Sequence, residues 1–502
     1  MNLDGFLPEN PFDAALLNVV APQDWVNPRP KEKYDLVVLG GGPAGLVAAA
    51  GAAGLGARVA LVERAFLGGD CLNAGCVPSK ALLAAARKIQ RASQGSEFLG
   101  DASPRSVDFP AVMDRMRRLR ASLAHHDGAE RFTKLGIDVF RGSGVFVGPD
   151  RLDVGSITLH FRKAVIATGA RAAVPPIPGI QEVGFLTNET LFALTELPRR
   201  LIVVGGGPIG AEMAQAFRRF GSEVTMVMRD PLLPKEEPIA SDLVRRAFLG
   251  EGIQLLEGAQ ILGSRREGPC RKLDVERSDG TIVTLEGDQL LVAAGRALNI
   301  EGLGLLAAKI AVEDGRIVVD STLRTTNPRV FVAGDAAGSY QFTHAADAHA
   351  RMILRNAFFF GRGRHADLVV PWCTYTEPEV AQVGMTEAMA RHAGFEPQAL
   401  RVEFGELDRG VLEEEAGFIQ AIVKAGTDQV LGFTVVGPHA GDLIGEATLL
   451  MKTGGRLGSL SGVIHPYPTF GEAFRRLGDL AMKARLTPKA RRLFELWFRV
   501  WR

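Results

Sequence analysis

A chain of 502 residues, 46% of them apolar, exceeds what one hydrophobic core supports and points to a globular protein of two to four domains. Its net charge is +1, with 58 basic and 57 acidic residues scattered along the chain, which excludes the basic footprint of a nucleic-acid binder. Only four cysteines occur, two of them close together, and the acidic start MNLDGFLPEN has no apolar core; this fits a reducing cytoplasm and a working disulfide rather than a disulfide-stapled secreted fold.

Residues 1–33, rich in Pro and Asn, read as an irregular N-terminal extension. From Tyr34, the stretch YDLVVLGGGPAGLVAAAGAAGLGARVALVER predicts a strand, a glycine turn, a small-residue helix and a second strand ending in an acid, which is one βαβ unit. The uncharged run from Leu36 to Ala57 has the length of a membrane span, but its clustered glycines split it into a strand block and a helix block, so it reads as buried core. In Gly40-x-Gly42-x-x-Gly45 the first glycine permits a tight turn, the second lets a pyrophosphate approach the backbone, and the third allows helix and strand to touch. Pro43 and Ala44 open the helix, and Glu63, followed by Arg64, stands where a carboxylate accepts hydrogen bonds from an adenosine ribose.

The next segment, GGDCLNAGCVPSKALLAAARKIQ, places Cys71 and Cys76 at C-x4-C spacing at the entry to a helical run. Residues five apart on an ideal helix are about 8 to 9 Å apart at Cα, beyond the roughly 7 Å that a disulfide tolerates. The helix must therefore depart from ideal geometry, and Gly75 and Pro78 are suited to cause it. A strained, accessible disulfide is readily reduced, and a helix N-terminus lowers a thiol pKa, so the reduced pair should hold a reactive thiolate. No second cysteine pair or histidine pair nearby completes a zinc set.

The βαβ grammar recurs in RLIVVGGGPIGAEMAQAFRRFGSEVTMVMRD, Arg200 to Asp230, with Gly205-x-Gly207-x-x-Gly210 and Ile209 in the turn. Two dinucleotides are implied. The position matching Glu63 is here Met228, followed by Arg229; an arginine binds a 2′-phosphate where a carboxylate would repel it, which favours NADPH over NADH. After Pro371, strands such as GFIQAIVKA and VLGFTVVG followed by helical stretches predict an α+β domain. The last stretch, LTPKARRLFELWFRVWR, predicts a helix with a basic face and a Leu, Phe and Trp face, packed on its own protein or laid on an acidic membrane surface.

Together with AVIATGA (Ala164 to Ala170), LVAAGRALN (Leu291 to Asn299), VFVAGDAAG (Val330 to Gly338), CTYTEPEVAQVGMTE (Cys373 to Glu387) and HPYPTFGE (His465 to Glu472), these motifs resemble the pyridine nucleotide-disulfide oxidoreductase family from about Tyr34 to Arg485. That family contains dihydrolipoamide dehydrogenase, glutathione reductase and mercuric reductase. The resemblance implies an α/β protein with two Rossmann-like domains, binding FAD (34–180 and 296–368) and NAD(P)H (181–295), and an α+β dimerisation domain at 369–485, before the basic amphipathic helix at 486–502. It implies further cofactor contacts from Gly69, Asp70, Lys80, Thr168, Gly169, Gly295, Arg296, Gly334 and Asp335, with Asp335 on the FAD ribityl chain and Lys80 beside the flavin, paired with Glu212. It also implies Cys76 as the thiolate near the flavin, Cys71 as the exchanging thiol, and a homodimer in which each partner completes the other's site.

The chain departs from the family at one position that bears on chemistry. Dihydrolipoamide dehydrogenases and glutathione reductases carry H-P-T-x-x-E, whereas this chain has Tyr467 before Pro468 and Thr469, with Glu472 closing the motif. A tyrosine, with an ordinary pKa of about 10, is a poor proton acceptor near neutrality but a usable donor or metal ligand. Mercuric reductases have tyrosine here, and a metal acceptor needs thiolate ligands more than a base. The expected activity is thus NADPH-dependent, mercuric reductase-like oxidoreduction, with Hg(II) held transiently by Cys71, Cys76 and Tyr467 and no structural metal. The terminal vicinal cysteines of mercuric reductases are absent, and Asp70 replaces the usual threonine, placing an anion beside Cys71 that would discourage its thiolate or bind a cation. His465 is the rival base, Cys373 reads as structural, and Cys270 has no supporting context. The alternatives are a dihydrolipoamide dehydrogenase-like reductase of an organic disulfide, quinone or other small acceptor, and a redox-regulated flavoprotein whose tail binds a partner.

Overall fold

The computed structural model describes residues 5–94, 106–484, 486 and 488–502. It divides into two compact units, Met1–Pro231 with Gly252–Leu368, and Leu232–Glu251 with Val369–Arg502.

The first unit begins with a helix, α1 (Pro11–Val20), where an irregular extension was expected. Asn10 accepts a hydrogen bond from the Phe12 N–H, and Pro11 opens the helix where its missing N–H is no loss. These start signals are local and present in the sequence, but only Asp13, Leu16 and Val20 are buried, too few to make a helical apolar pattern. The main sheet comprises β1 (Tyr34–Leu39), β2 (Val59–Glu63), β3 (Asp138–Arg141), β4 (Gly144–Gly148), β5 (Arg151–Val154) and β6 (Ile157–Ile166), in the order β3-β2-β1-β6-β5-β4, with Val330–Val332 also pairing β6. β1 lies parallel to β2 and β6, Leu39 facing Val62 and Ile166. Side chains alternate between two cores: Leu36, Val38 and Leu61 enter one, and Val37, Leu39 and Val62 the other. Burial on both faces is why these strands read as continuous apolar runs. Residues after α1 close the β3 edge: Trp25 Nε1 donates to Val139 O, and Asn27 exchanges hydrogen bonds with the Arg141 backbone.

Helix α2 (Pro43–Gly54) crosses from β1 to β2; α3 (Gly69–Asn73), α4 (Cys76–Gln94) and α5 (Phe109–Leu123) follow. The βαβ grammar repeats in β7 (Arg200–Val204), α6 (Pro208–Phe220) and β8 (Glu223–Val227), which join β9 (Gln254–Leu256) and β10 (Gln289–Val292) in a parallel sheet of order β9-β8-β7-β10. The helix α7 (Thr343–Phe358) completes the unit.

The second unit is α+β. Strands β11 (Pro371–Thr374), β12 (Glu379–Gly384), β13 (Pro397–Glu403), β14 (Phe418–Lys424) and β15 (Val430–Gly437) form an antiparallel sheet of order β11-β12-β15-β14-β13. Its core side packs on α8 (Ala440–Lys452) and α9 (Glu472–Ala484) through Ile444, Ala447, Phe474 and Leu477. The chain ends in α10 (Pro488–Trp501). No helix among the described residues is long and apolar enough to cross a membrane.

Glu236 of the second unit is buried, accepts a hydrogen bond from Trp372 Nε1 at 2.8 Å, and leaves Oε2 without a partner. Burial pushes its carboxyl up to about 7. A carboxyl whose folded pKa exceeds its ordinary 4.5 stabilises the fold fully at acid pH, and loses that contribution as pH rises through about 7. Glu236→Gln keeps an acceptor for Trp372 without the charge. It should raise the melting temperature at pH 8, by an amount equivalent to about 1 to 3 kcal/mol, and leave it unchanged near pH 4.5. Parallel melting curves across that range would contradict this.

Candidate redox-active cysteine site

After β2 the chain turns through Gly68 and Gly69 into the short α3, which ends at Asn73; Ala74 and Gly75 follow, and Cys76 opens α4. The break in helix geometry between the two cysteines therefore falls at Ala74 and Gly75. A Cβ on Gly75 would lie 2.9 Å from Asp70 O. Pro78 sits in the first turn of α4, where it costs no hydrogen bond, and is not the source of the break. Cys71 is half-buried and Cys76 exposed, both as free thiols.

Hydrogen bonding from Cys71 pulls the Cys76 thiol down to about 6, and Thr343 at the start of α7, with Sγ and Oγ1 3.4 Å apart, and the Lys80 charge act in the same direction against burial. The same contact pushes Cys71 strongly upward. The contact therefore favours the thiolate on Cys76 and the proton on Cys71. Lys80, one turn along α4, donates to both Glu212 oxygens at 2.7 and 3.0 Å and ties α4 to α6.

Asp70 binds a cation of its own chain, and its charge pushes the Cys71 thiol upward. Its Oδ2 lies 3.0 Å from Arg296 Nη2 and its Oδ1 accepts from Asn188 Nδ2 at 2.7 Å, while Arg296 also reaches Asp335 at 3.3 Å. One guanidinium held between two carboxylates offsets part of their charge, and the remaining Asp70 charge still pushes both thiols upward. No sequence signal paired these residues, since Asp70 and Arg296 are 226 positions apart.

The first glycine loop lies at the C-terminal end of β1. Gly40 has φ of 112°, and a Cβ there would lie 2.2 Å from Ala167 O. A Cβ on Gly45 would lie 1.8 Å from Gly40 O, and one on Gly69 2.7 Å from Gly42 Cα. Bare backbone thus lines the start of α2, with Pro43 and Ala44 in its first turn. Glu63 is buried under the loop, its oxygens accepting from Gly41 N and Ala65 N, both at 2.6 Å; burial pushes its carboxyl upward, and Arg64 is exposed. Thr168 Oγ1 donates to Asn299 O and Asn299 Nδ2 to Thr168 O. Gly169 O accepts from Asn299 N, Gly295 O accepts from Ala173 N, and Gly334 packs against Ala44. Asp335 lies in the first turn of a 3-10 helix that Gly334 opens, and burial pushes its carboxyl upward. A glycine cradle at a helix N-terminus, with the buried Glu63 and half-buried Asp335 carboxylates at hand, fits the pyrophosphate and hydroxyls of FAD.

The second loop repeats the arrangement. A Cβ on Gly205 would lie 2.4 Å from Ala293 O and one on Gly210 2.3 Å from Gly205 O, while the space above Gly207 is open. This cradle fits a second pyrophosphate. Ile209 is partly exposed. Met228 packs under Gly206, and Arg229 is 87% exposed with Nη2 3.2 Å from Asp230.

In the second unit Tyr467 is 72% exposed and its hydroxyl donates to Asp408, which pushes the phenol pKa upward. Glu472, at the place where the family motif backs its histidine, is instead held by Arg475 and Arg476 of its own helix, at 3.0 and 3.1 Å. Sequence reasoning missed Asp408, 59 positions from Tyr467. His465 is 9% exposed and lies 3.1 Å from Glu446 Oε2, so it is pinned in the interior. Cys373 is half-buried against the Thr374 carbonyl, and Cys270 lies 3.5 Å from Arg200 Nη2.

Two dinucleotide cradles, a dithiol at a helix start and an α+β domain define a disulfide oxidoreductase of the two-nucleotide flavoprotein class. Residues 34–350 match the family model "Pyridine nucleotide-disulphide oxidoreductase" and 370–477 its dimerisation domain. The chain belongs to this family. It is an FAD- and NAD(P)H-dependent oxidoreductase, and the second domain supports a homodimer. It is 36% identical over 464 residues to a mercuric reductase of Streptomyces lividans, covering 88% of this chain and 95% of that protein. To a mercuric reductase of Bacillus cereus it is 35% identical over 447 residues, covering 88% and 70%. It is 33% identical over 473 residues to a dihydrolipoyl dehydrogenase of Bacillus subtilis, covering 90% and 98%. Among solved structures it resembles the Cu(II) complex of the HOCl-induced flavoprotein disulfide reductase RclA of Escherichia coli, at 28% identity and a TM-score of 0.79, covering 90% of this chain and 100% of that one.

Proposed function

We propose that this chain uses NADPH to reduce a soft metal ion of the Hg(II) class through FAD and the Cys71/Cys76 pair. The observation that carries the acceptor is Tyr467: the place of the family's imidazole base is taken by an exposed phenol paired with Asp408, while the neighbouring His465 is pinned on Glu446. A phenol serves as donor or ligand to a metal held by thiolates and is a poor base for exchange with an organic disulfide. The names of the mercuric reductase relatives and the Cu(II) complex of RclA support the same reading.

FAD, when bound, supplies the relay that carries an electron pair from the nicotinamide to the sulfurs. The first loop, Glu63, Thr168, Gly169, Gly295, Arg296, Gly334 and Asp335 would hold it, and Lys80, fixed by Glu212, would lie beside its ring. One NADPH and the disulfide give NADP⁺, the Cys71 thiol and the Cys76 thiolate. Hg(II) then displaces the remaining proton and is bound by both sulfurs. A second NADPH reduces it, giving NADP⁺ and Hg(0) and returning the sulfurs to the Cys71 thiol and the Cys76 thiolate. The dimerisation domain of one copy would complete the dithiol site of the other.

Arg229 follows Met228, which stands where a carboxylate would bind the 2′-hydroxyl of NADH, and its exposed guanidinium is suited to a 2′-phosphate. Arg229→Ala should raise KM for NADPH about tenfold or more, as loss of a charge-assisted hydrogen bond does, and leave KM for NADH unchanged; equal effects on both would remove the NADPH preference.

Purified enzyme should oxidise NADPH in response to Hg(II) and release volatile mercury. Tight inhibition by Hg(II), with turnover of an organic disulfide or quinone, would replace this acceptor with a dihydrolipoyl dehydrogenase-like one.

A further inference from the structure

We infer that α10 is an interfacial helix that holds the enzyme on an anionic lipid surface. At 3.6 residues per turn its large apolar residues occupy an arc of about 200°, and all of them, including Phe494, Trp497, Phe498 and Trp501, are 50 to 84% exposed. The opposite arc carries Arg491, Arg492, Arg499 and Arg502 against the single acid Glu495. Burying such apolar side chains is strongly favourable, so an arc of this size left in water is a contact surface awaiting its partner.

Charge selects the partner. Indole and phenyl rings settle at the boundary between headgroups and acyl chains, and guanidinium groups on the other face bind headgroup phosphates. A symmetric pairing of two α10 helices through the apolar arc would line up arginines of both copies along the rims with one acid each to offset them, whereas anionic headgroups meet them with opposite charge. The helix, about 21 Å long, is far too short to span a bilayer and would lie in its plane. The inference is independent of the acceptor, because α10 holds none of the redox residues.

Full-length holoenzyme is sedimented with vesicles of phosphatidylcholine and of phosphatidylcholine mixed with phosphatidylglycerol. Binding should rise about tenfold or more with the anionic lipid, given a gain of about 1 kcal/mol per basic residue, and tryptophan emission should shift to the blue. Trp497→Glu with Trp501→Glu should abolish binding and leave NADPH oxidation unchanged. Arg491→Glu with Arg492→Glu should abolish the preference for phosphatidylglycerol. Equal binding to both vesicles, or to neither, overturns the inference. So does a lipid-free wild type whose mass by light scattering exceeds that of the tryptophan variant, since a second copy would then cover the arc.

Discussion

Asp13→Ala should destabilise the holoenzyme by about 3 to 5 kcal/mol, read as a shift of the urea midpoint or melting temperature. Asp13 is fully buried and accepts from Arg120 Nη2 at 2.6 Å and from Leu7 N at 2.9 Å, with Arg117 Nε 3.8 Å away. Arg120 is also fully buried and lies over the Phe6 ring. Truncating the carboxylate leaves a guanidinium in the interior with its counter-charge gone, and that desolvation cost sets the size of the effect. Replacing both ends, Asp13→Leu with Arg120→Met, should recover much of the loss, because the Arg120 charge goes with its partner while Arg117 keeps Asp114 at 3.2 Å. If each single variant costs under about 1 kcal/mol, as exposed pairs do, the pair is not the buried clamp described.

The clamp has a functional side. Arg120 Nη1 donates to Asn73 O at 2.7 Å, and Asn73 caps the turn around Cys71 by donating to Leu67 O and Gly69 O. The helix α1 lies before the residues matched by the family model. It therefore braces the end of α3, between the two cysteines, from outside the family core.

Cys76→Ser should lower acceptor reduction on the order of 10³-fold or more, as loss of a nucleophile that acts as one unit with its partners does. Alkylation of the NADPH-reduced wild type by iodoacetamide should rise through about pH 6 and level off above it, because the Cys71 hydrogen bond holds Cys76 as thiolate. Cys71→Ala removes that bond and should move the midpoint upward, toward the ordinary value of 9.0. A midpoint that stays near 6 would shift the credit to Thr343 and Lys80.

Much of the nucleotide-binding half is legible in the sequence. Gly40, Gly45, Gly205 and Gly210 each occupy a place where a Cβ would collide with backbone, and a glycine forced by its neighbours a few residues away leaves its mark in spacing. The interruption at C-x4-C was legible from the distance a disulfide tolerates, and of the two residues read as its cause the break falls at Gly75, with Ala74, and not at Pro78. The start of α1 was present as Asn10 and Pro11, yet a helix that buries one carboxylate and two apolar residues has no apolar period to reveal it.

The sequence by itself determined the two βαβ units, their glycine cradles, the dithiol at a helix start and the amphipathic character of α10, because strand and helix periods and backbone clearance act between residues close in the chain. Only the tertiary structure decided which charges meet: Asp13 with Arg120, Asp70 and Asp335 around Arg296, Tyr467 with Asp408, and Glu472 with its own arginines rather than with Tyr467. A carboxylate is satisfied by any cation or hydroxyl that the fold brings within about 3 Å, and chain spacing does not encode which one arrives.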